Sequence, residues 1–234
     1  MFTKPEFKKP AIDLPSIKSL PDNHKAKQYV IGRKIPLDKY NTLYYAENFK
    51  EFSGTFNITQ EKSDRIPADE RLVIPFFDVY GTLVAFQGRD LNGGKIRYVT
   101  VKVVEDAPKI FGMNNVDIHK DIYVTEGPID SLFLDNGIAT ADSNLMAASA
   151  VTDIDKLILV FDNEPRNKDI VSIIRKAVKN GYRVCLWPES IQEKDINQMI
   201  VDGGKTKNDI KSIIDSSTYV GIRAELEFNE WRKV

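Results

Sequence analysis

Four acidic residues stand just past apolar runs in this 234-residue chain, where carboxylates have no structural business in numbers. Glu126 follows Ile122-Tyr123-Val124-Thr125, while Asp162 and Glu164 follow the near-continuous apolar run 157–161. Asp195 comes after Tyr182-Arg183-Val184-Cys185-Leu186 and the loop that starts at Trp187. Asp162 and Glu164 are two residues apart, so on an extended backbone their side chains point the same way. One acid at a strand end is ordinarily a turn former or a helix cap. Several that converge repel one another unless a hard cation sits between them. Mg2+ suits that place, because it takes oxygen ligands, keeps several waters and bridges to phosphates. The charge distribution agrees: residues 121–164 hold nine acids against one lysine, and residues 1–34 hold eight Lys/Arg against three acids. Blocks of like charge are usually solvated helix faces, but this acidic block falls on strand-like segments, where acids are disfavoured.

The elements that must position these acids are alternating strands and helices. Strands are predicted at 122–125, 137–140, 157–161 and 182–186, with helices from Pro128 to about Asp135, over 143–150, and from Asn167 to Lys179. Pro is tolerated in the first turn of a helix, and Gly181 is a good helix stop. An apolar strand such as 157–161 is the kind buried on both faces of a parallel sheet, and the alternation argues for a parallel α/β unit. In an open sheet of that kind, ligands bind beyond the carboxyl ends of the strands. Upstream the pattern differs. Residues 72–77, 82–88 and 96–102 read as three strands joined by Asp78-Val79-Tyr80-Gly81 and Asn92-Gly93-Gly94, an antiparallel meander. A short helix is predicted within 22–32, and residues 33–70 carry no clear pattern.

Composition removes several function classes. At 42% hydrophobic and 29% charged the chain is ordinary globular material, and its net charge of −1 argues against indiscriminate coating of nucleic acid. The lone Cys185 excludes a disulfide framework, and with only His24 and His119 besides, no zinc site is expected. Cys185 itself reads as a small core residue. No apolar run is long enough to span a bilayer, and residues 1–21 lack the apolar stretch of a secretory leader. An intracellular protein is the expectation. Gly204-Lys205-Thr206 ends like a phosphate-binding loop, but Met199 stands where that loop needs its first glycine. Thr206 with Asp209 is better read as a helix cap.

The acidic segments resemble a known family. Glu126-Gly127-Pro128-Ile129-Asp130-Ser131-Leu132 resembles the glutamate-glycine signature of TOPRIM domains. Phe161-Asp162-Asn163-Glu164 resembles its Asp-x-Asp element, and Lys194-Asp195-Ile196-Asn197 its third acidic segment. TOPRIM domains occur in bacterial-type primases, topoisomerases and certain nucleases, so these motifs alone do not select a reaction. Residues 74–78, Gly81 and 86–91 are similar to the basic subdomain that precedes TOPRIM in bacterial and phage DNA primases, with Lys95-Ile96-Arg97-Tyr98 where those have a basic-Tyr pair. The ending, Thr218–Gly221 and Glu230–Lys233, resembles T4-like phage primases, and the resemblance covers roughly residues 22–202. Two positions depart from the family: Glu164 stands in place of a second Asp, and Asn197 in place of an acid.

The resemblance implies an α/β TOPRIM domain, a small parallel sheet flanked by helices, preceded by an α+β subdomain with an antiparallel meander. The expected division is a basic irregular arm at 1–20, an N-terminal primase subdomain at 21–115, the TOPRIM catalytic domain at 116–205, and a C-terminal helix and tail at 206–234. Neither a zinc-binding module nor a fused helicase is expected in this chain. The implied activity is Mg2+-dependent nucleotidyl transfer, with Mn2+ an alternative, making RNA primers from ribonucleoside triphosphates on a single-stranded DNA template during replication. A replicative helicase is the implied partner, no membrane is involved, and the location is the cytoplasm, the host's if a phage encodes the chain. The resemblance assigns catalysis to Glu126, Asp162 and Glu164, and metal binding to these three with Asp195. Arg89, Arg97, Tyr98, Lys102 and Lys194 would hold nucleotide or template. A metal-dependent TOPRIM nuclease, which has no need of the meander, and a non-catalytic nucleic-acid-binding subunit of a replisome stay open as alternatives.

Overall fold

The computed structural model describes residues 12–234. In chain order the elements are α1 (Lys25–Gly32), β1 (Tyr44–Ala46), α2 (Phe49–Gly54), α3 (Gln60–Asp64), β2 (Arg71–Phe77), β3 (Leu83–Asp90) and β4 (Tyr98–Lys102). Then follow β5 (Ile122–Thr125), α4 (Pro128–Ser131), β6 (Gly137–Ala139), β7 (Leu157–Val160), α5 (Lys168–Lys179) and β8 (Arg183–Cys185). The chain closes with α6 (Ile196–Val201), α7 (Lys207–Ser216), β9 (Thr218–Tyr219) and α8 (Gly221–Trp231). It forms two compact units: residues up to Tyr29 with Tyr40–Lys109, and Val30–Lys39 with Ile110–Val234. No helix among the described residues is long and apolar enough to cross a membrane.

The first unit is built on an antiparallel sheet in the order β1-β2-β3-β4. The expected meander is β2–β4, and β1 extends it from the stretch that carried no pattern. Asp78 closes the β2–β3 turn by accepting the N–H groups of Tyr80 and Thr82 at 2.9 and 2.8 Å, and Gly81 supplies a φ of 81° there. Pro75 lies past the three residues of β2 that β1 covers, where a missing N–H is tolerated. Phe49, Phe52, Val73, Leu83, Phe86 and Val101 form the core against one face, with the Phe52 and Phe86 rings 4.9 Å apart.

Part of the expected irregular arm lies outside the described residues, and the remainder is ordered. Ile17 is fully buried, its N–H donates to Leu43 O at 2.8 Å, and Tyr45 N–H donates to Pro15 O at 3.0 Å. The apolar residues Ile12, Leu14 and Ile17, spaced among charges, tie this segment down.

Among the described residues of the first unit, Arg71 is the long charged side chain taken wholly inside the sheet, with 1% exposure. Its guanidinium donates to both Asp69 carboxylate oxygens, at 2.6 and 2.9 Å, and to the carbonyls of Gly88 and Ile96, each at 3.0 Å. A buried charge persists only when paired and hydrogen-bonded in this way.

The second unit carries a five-stranded sheet in the order β6-β5-β7-β8-β9, parallel except for β8–β9. β7 is buried along its whole length, as its unbroken apolar sequence requires. Helix α5 starts at an Asn167 cap, ends at Gly181 with φ 78°, and buries Ile170, Val171, Ile174, Ala177 and Val178. The segment 206–234, set apart in the sequence as a helix and tail, is part of this unit. Thr206 and Asp209 form the expected capping box of α7, β9 adds an edge strand, and Ala224, Phe228 and Trp231 of α8 enter the core. The stripe of apolar residues at helical spacing needed a partner, and α5 is that partner.

Gly88 is the closest approach in the first unit: a Cβ there would fall 2.6 Å from the Phe49 ring and 2.8 Å from the Arg71 side chain. Gly88→Ala is expected to lower stability by about 1–3 kcal/mol, the usual cost of overpacking. Chemical denaturation measures it, and an unchanged midpoint would show that Phe49 and Arg71 have room to move.

Candidate active site

The chain enters the second sheet at β5, steps one way to β6, then crosses back to β7 on the other side and continues to β8. The carboxyl ends of β5 and β7 therefore flank the point where the winding reverses, which is where open α/β sheets bind ligands. Thr125 pairs with Val160, so the two strands end level. Glu126 and Asp162 leave the sheet side by side, and the Asp162 N–H donates to Glu126 Oε1 at 3.3 Å.

Beyond β7 the backbone is not extended, so the condition under which Asp162 and Glu164 point the same way is not met. Glu164 N–H donates to Asp162 O at 2.9 Å, a three-residue turn centred on Asn163. Asn163 anchors that turn: its N–H donates to Lys194 O at 2.6 Å, and its side-chain amide donates to the carbonyls of Ile191 and Glu193 at 3.0 and 3.3 Å. Trp231 Nε1 in turn donates to Asn163 Oδ1 at 3.3 Å. The two carboxylates still meet, at Lys194, whose Nζ lies 3.5 Å from Asp162 and 3.1 Å from Glu164. Lys194, expected to face nucleotide or template, places its positive charge between these two expected metal ligands.

Asp195 is the N-cap of α6, accepting the Gln198 N–H at 2.7 Å. That commits one of its oxygens to the helix. Asp130 is the residue that inspection of strand ends misses. It sits in α4, four residues after Glu126, and its Oδ1 accepts the Asn197 N–H at 2.9 Å. A Cβ at Gly127 would lie 2.9 Å from Asp130 Oδ2, so the glycine after Glu126 makes room for this carboxylate. An acid four positions after Glu126 at the head of a helix was the available signal.

The electrostatics follow from this crowding. Burial, then the neighbouring charges of Glu126, Asp130 and Asp195, push Asp162 up to about 8. Burial, then Asp195, push Asp130 up to about 7. Glu126 is raised as well, chiefly by burial. Lys194 is held above its ordinary value, because the carboxylates of Glu164 and Asp162 outweigh its own desolvation. Among the described residues no group of three or more His, Cys, Asp or Glu side chains is drawn closely enough around one point to hold a metal ion. The donor chemistry is nevertheless that of a hard cation: oxygen ligands only, in excess of positive charge.

The remaining expected residues lie in the first unit. Arg89 and Tyr98 are cross-strand partners on β3 and β4, with the guanidinium 4.6 Å from the Tyr98 ring and 5.8 Å from that of Tyr29. Arg97 is exposed, in the connection that Arg71 holds through Ile96 O. Lys102 donates to the carbonyl of Glu105. Cys185 is buried in β8 with its thiol pushed up by desolvation, as a core residue is.

No family model matches the chain. It is 34% identical over 229 residues to the DNA primase of Enterobacteria phage T4, covering 93% of this chain and 66% of that protein. The chain belongs to the DNA primase family. Among solved structures, the DnaG catalytic core superposes with a TM-score of 0.64 at 15% identity, covering 92% of this chain and 79% of that one. A DnaG primase catalytic domain bound to single-stranded DNA gives 0.62 at 16% identity, covering 93% and 78%. The fold is thus that of a primase catalytic core, an antiparallel sheet and a mostly parallel sheet flanked by helices. Membership of the family implies dependence on a divalent metal.

The raised carboxyls fix the sign of a pH effect. A folded-state value near 8 for Asp162, against about 3.9 for an unfolded Asp, means the folded protein holds the extra proton between those limits. Its contribution to stability therefore falls as pH rises through that window. In the absence of divalent metal, Asp162→Asn should flatten the decline of the thermal midpoint between pH 5 and pH 8. Parallel profiles for the two proteins would show that Asp162 is not desolvated.

Proposed function

We propose that the chain synthesises short RNA primers on single-stranded DNA, joining ribonucleoside triphosphates by Mg2+-dependent nucleotidyl transfer. The observation that carries this reading is the pairing of Glu126 with Asp162 at the reversal point of a primase-type sheet, with Glu164 and Asp130 beside them. Asp162 and Glu164 would hold the metal, with Asp195 contributing through the oxygen not used as a cap and Glu126 serving either as a further ligand or as the acceptor of the hydroxyl proton. When bound, Mg2+ supplies charge for the phosphate oxygens and for the attacking and leaving groups of the transfer.

The rest is the work of side chains. The 3′-hydroxyl of the growing primer attacks the α-phosphate, the bond to the pyrophosphate oxygen breaks, and the hydroxyl proton leaves with the attack. Glu126, whose carboxyl is raised by burial, suits uptake of that proton. Lys194, once its two carboxylates are otherwise engaged, is a flexible cation at the same place and suits the triphosphate. Arg89, packed on Tyr98, and exposed Arg97 suit template phosphates and unpaired bases, by charge and by stacking. The DNA-bound state of the DnaG domain named above supports single-stranded DNA as the template class. A replicative helicase is the proposed partner.

The direct test incubates the chain with single-stranded DNA, four ribonucleoside triphosphates and Mg2+, and resolves the products by size. Short oligoribonucleotides are expected, and Asp162→Ala should reduce them on the order of 100-fold or more. DNA shortening that depends on Asp162 would make the chain a nuclease instead. Arg97→Ala should weaken template binding uniformly across sequences and reduce the salt slope of that binding by about one. Fluorescence anisotropy with labelled single strands measures it, and an unchanged slope would remove Arg97 from the template path.

A further inference from the structure

Within the second unit, residues 30–39 are fastened to α6 at two points. Helix α1 ends in a Schellman turn, with Ile35 N–H donating to Val30 O at 3.2 Å and Lys34 N–H to Ile31 O at 2.9 Å. Val30 and Ile35 are both buried, the apolar pair that accompanies this motif. The left-handed position, usually glycine, is Lys34 with φ 53°. A lysine is disfavoured there, and here its ammonium caps the far end of α6, 3.0 Å from Ile200 O and 3.4 Å from Val201 O.

Arg33, at the C-cap position, takes the near end of α6. Its Nη1 donates to Asn197 Oδ1 at 2.7 Å, and Asn197 Nδ2 donates back to Arg33 O at 2.7 Å. Asn197 is 2% exposed, and its N–H is the donor to Asp130 Oδ1. Two residues before it stands Asp195, whose charge bears on both Asp130 and Asp162. A neutral side chain at 197 can donate and accept at once, which is what this reciprocal pair requires; a carboxylate there could only accept.

We propose that Arg33 is a positioning residue for the carboxylate site, acting through Asn197 to fix the first turn of α6 and so the places of Asp130 and Asp195. The inference rests on the reading of that site as the place of a divalent metal. Its logic separates geometry from charge. As a bare positive charge near the acids, Arg33 opposes cation binding, so its removal would tighten it. As a positioning residue its removal loosens it.

The test uses the full chain and Mn2+ alone, followed by the electron paramagnetic resonance signal of the free ion. Arg33→Ala should weaken Mn2+ binding by about 10-fold or more, the usual effect of losing an outer partner of a ligand. Asn197→Ala should weaken it comparably, and the double variant no further, since both remove one relay. Arg33→Lys, keeping the charge and one donor, should recover part of the loss. Lys34→Ala, which releases the far end of α6, should leave Mn2+ affinity unchanged. Equal or tighter binding in Arg33→Ala would overturn the proposal while leaving the metal site standing. Absence of Mn2+ binding to the unaltered chain would overturn the site reading, and this inference with it. Where Arg33→Ala does not fold, Asn197→Ala decides, because it leaves the guanidinium charge in place: weakened binding supports the relay and unchanged binding overturns it.

Discussion

Like charges brought together at the end of a sheet are the constraint around which the second unit is arranged. Parallel strands that end level at a reversal of winding lead their chains into the same small space, and here Glu126, directly after β5, meets Asp162, two residues after β7. Half-buried carboxylates in that position lose solvation and gain mutual repulsion, and each can be relieved only by a proton, a donor or a cation. The surroundings supply all three in part. Main-chain N–H groups reach Glu126, Asp130 and Asp195, Lys194 reaches Asp162 and Glu164, and the raised carboxyls hold their protons to unusually high pH.

Such a place is only as good as the segments that hold it. The turn at Asn163 takes bonds from one loop and from the last helix, so the C-terminal segment bears on the acids although it contributes none of them. Trp187 Nε1 donates to Phe161 O at 2.8 Å, pinning the residue just before Asp162. Lys233 N–H donates to Pro165 O at 2.8 Å, just past Glu164. The Trp187 bond also satisfies polar groups that burial would otherwise leave unpaired, and each of these bonds removes a freedom from the Asp-Asn-Glu turn.

What could be read in the sequence and what could not divides along the range of the interactions. Strands β5, β7 and β8, helix α5 and the capping box of α7 declare themselves through unbroken apolar runs, a 3.6-residue period and a Thr–Asp spacing, all local signals. The acids at the strand ends were legible for the same reason. Asp130 does not stand out in the sequence, because an acid in the first turn of a helix is ordinary and favoured by the helix dipole. Strands β1 and β9 have three and two residues, too short for a period to show, and exist through their neighbours. Arg33 is 164 residues from Asn197, and nothing in either local sequence points to the other. The tight turn that brings Asp162 and Glu164 to Lys194 depends on Asn163 and its distant partners, which local sequence does not show.

The ion pair at Lys194 bears on how such a site can serve a replaceable cation. An ammonium 48% exposed, bridging carboxylates 21% and 28% exposed, is nearer to a surface pair than to a buried one. Pairs of that kind are worth roughly 0–1 kcal/mol. The desolvated Asp162 behind it carries a larger penalty, set by burial and by three neighbouring acids, which a flexible side chain relieves only in part. A weak partner in front of a strained carboxylate is easily exchanged for a stronger one. In this arrangement the lysine lets the acids stay folded together, and its weak hold leaves their charge to whatever binds them more tightly.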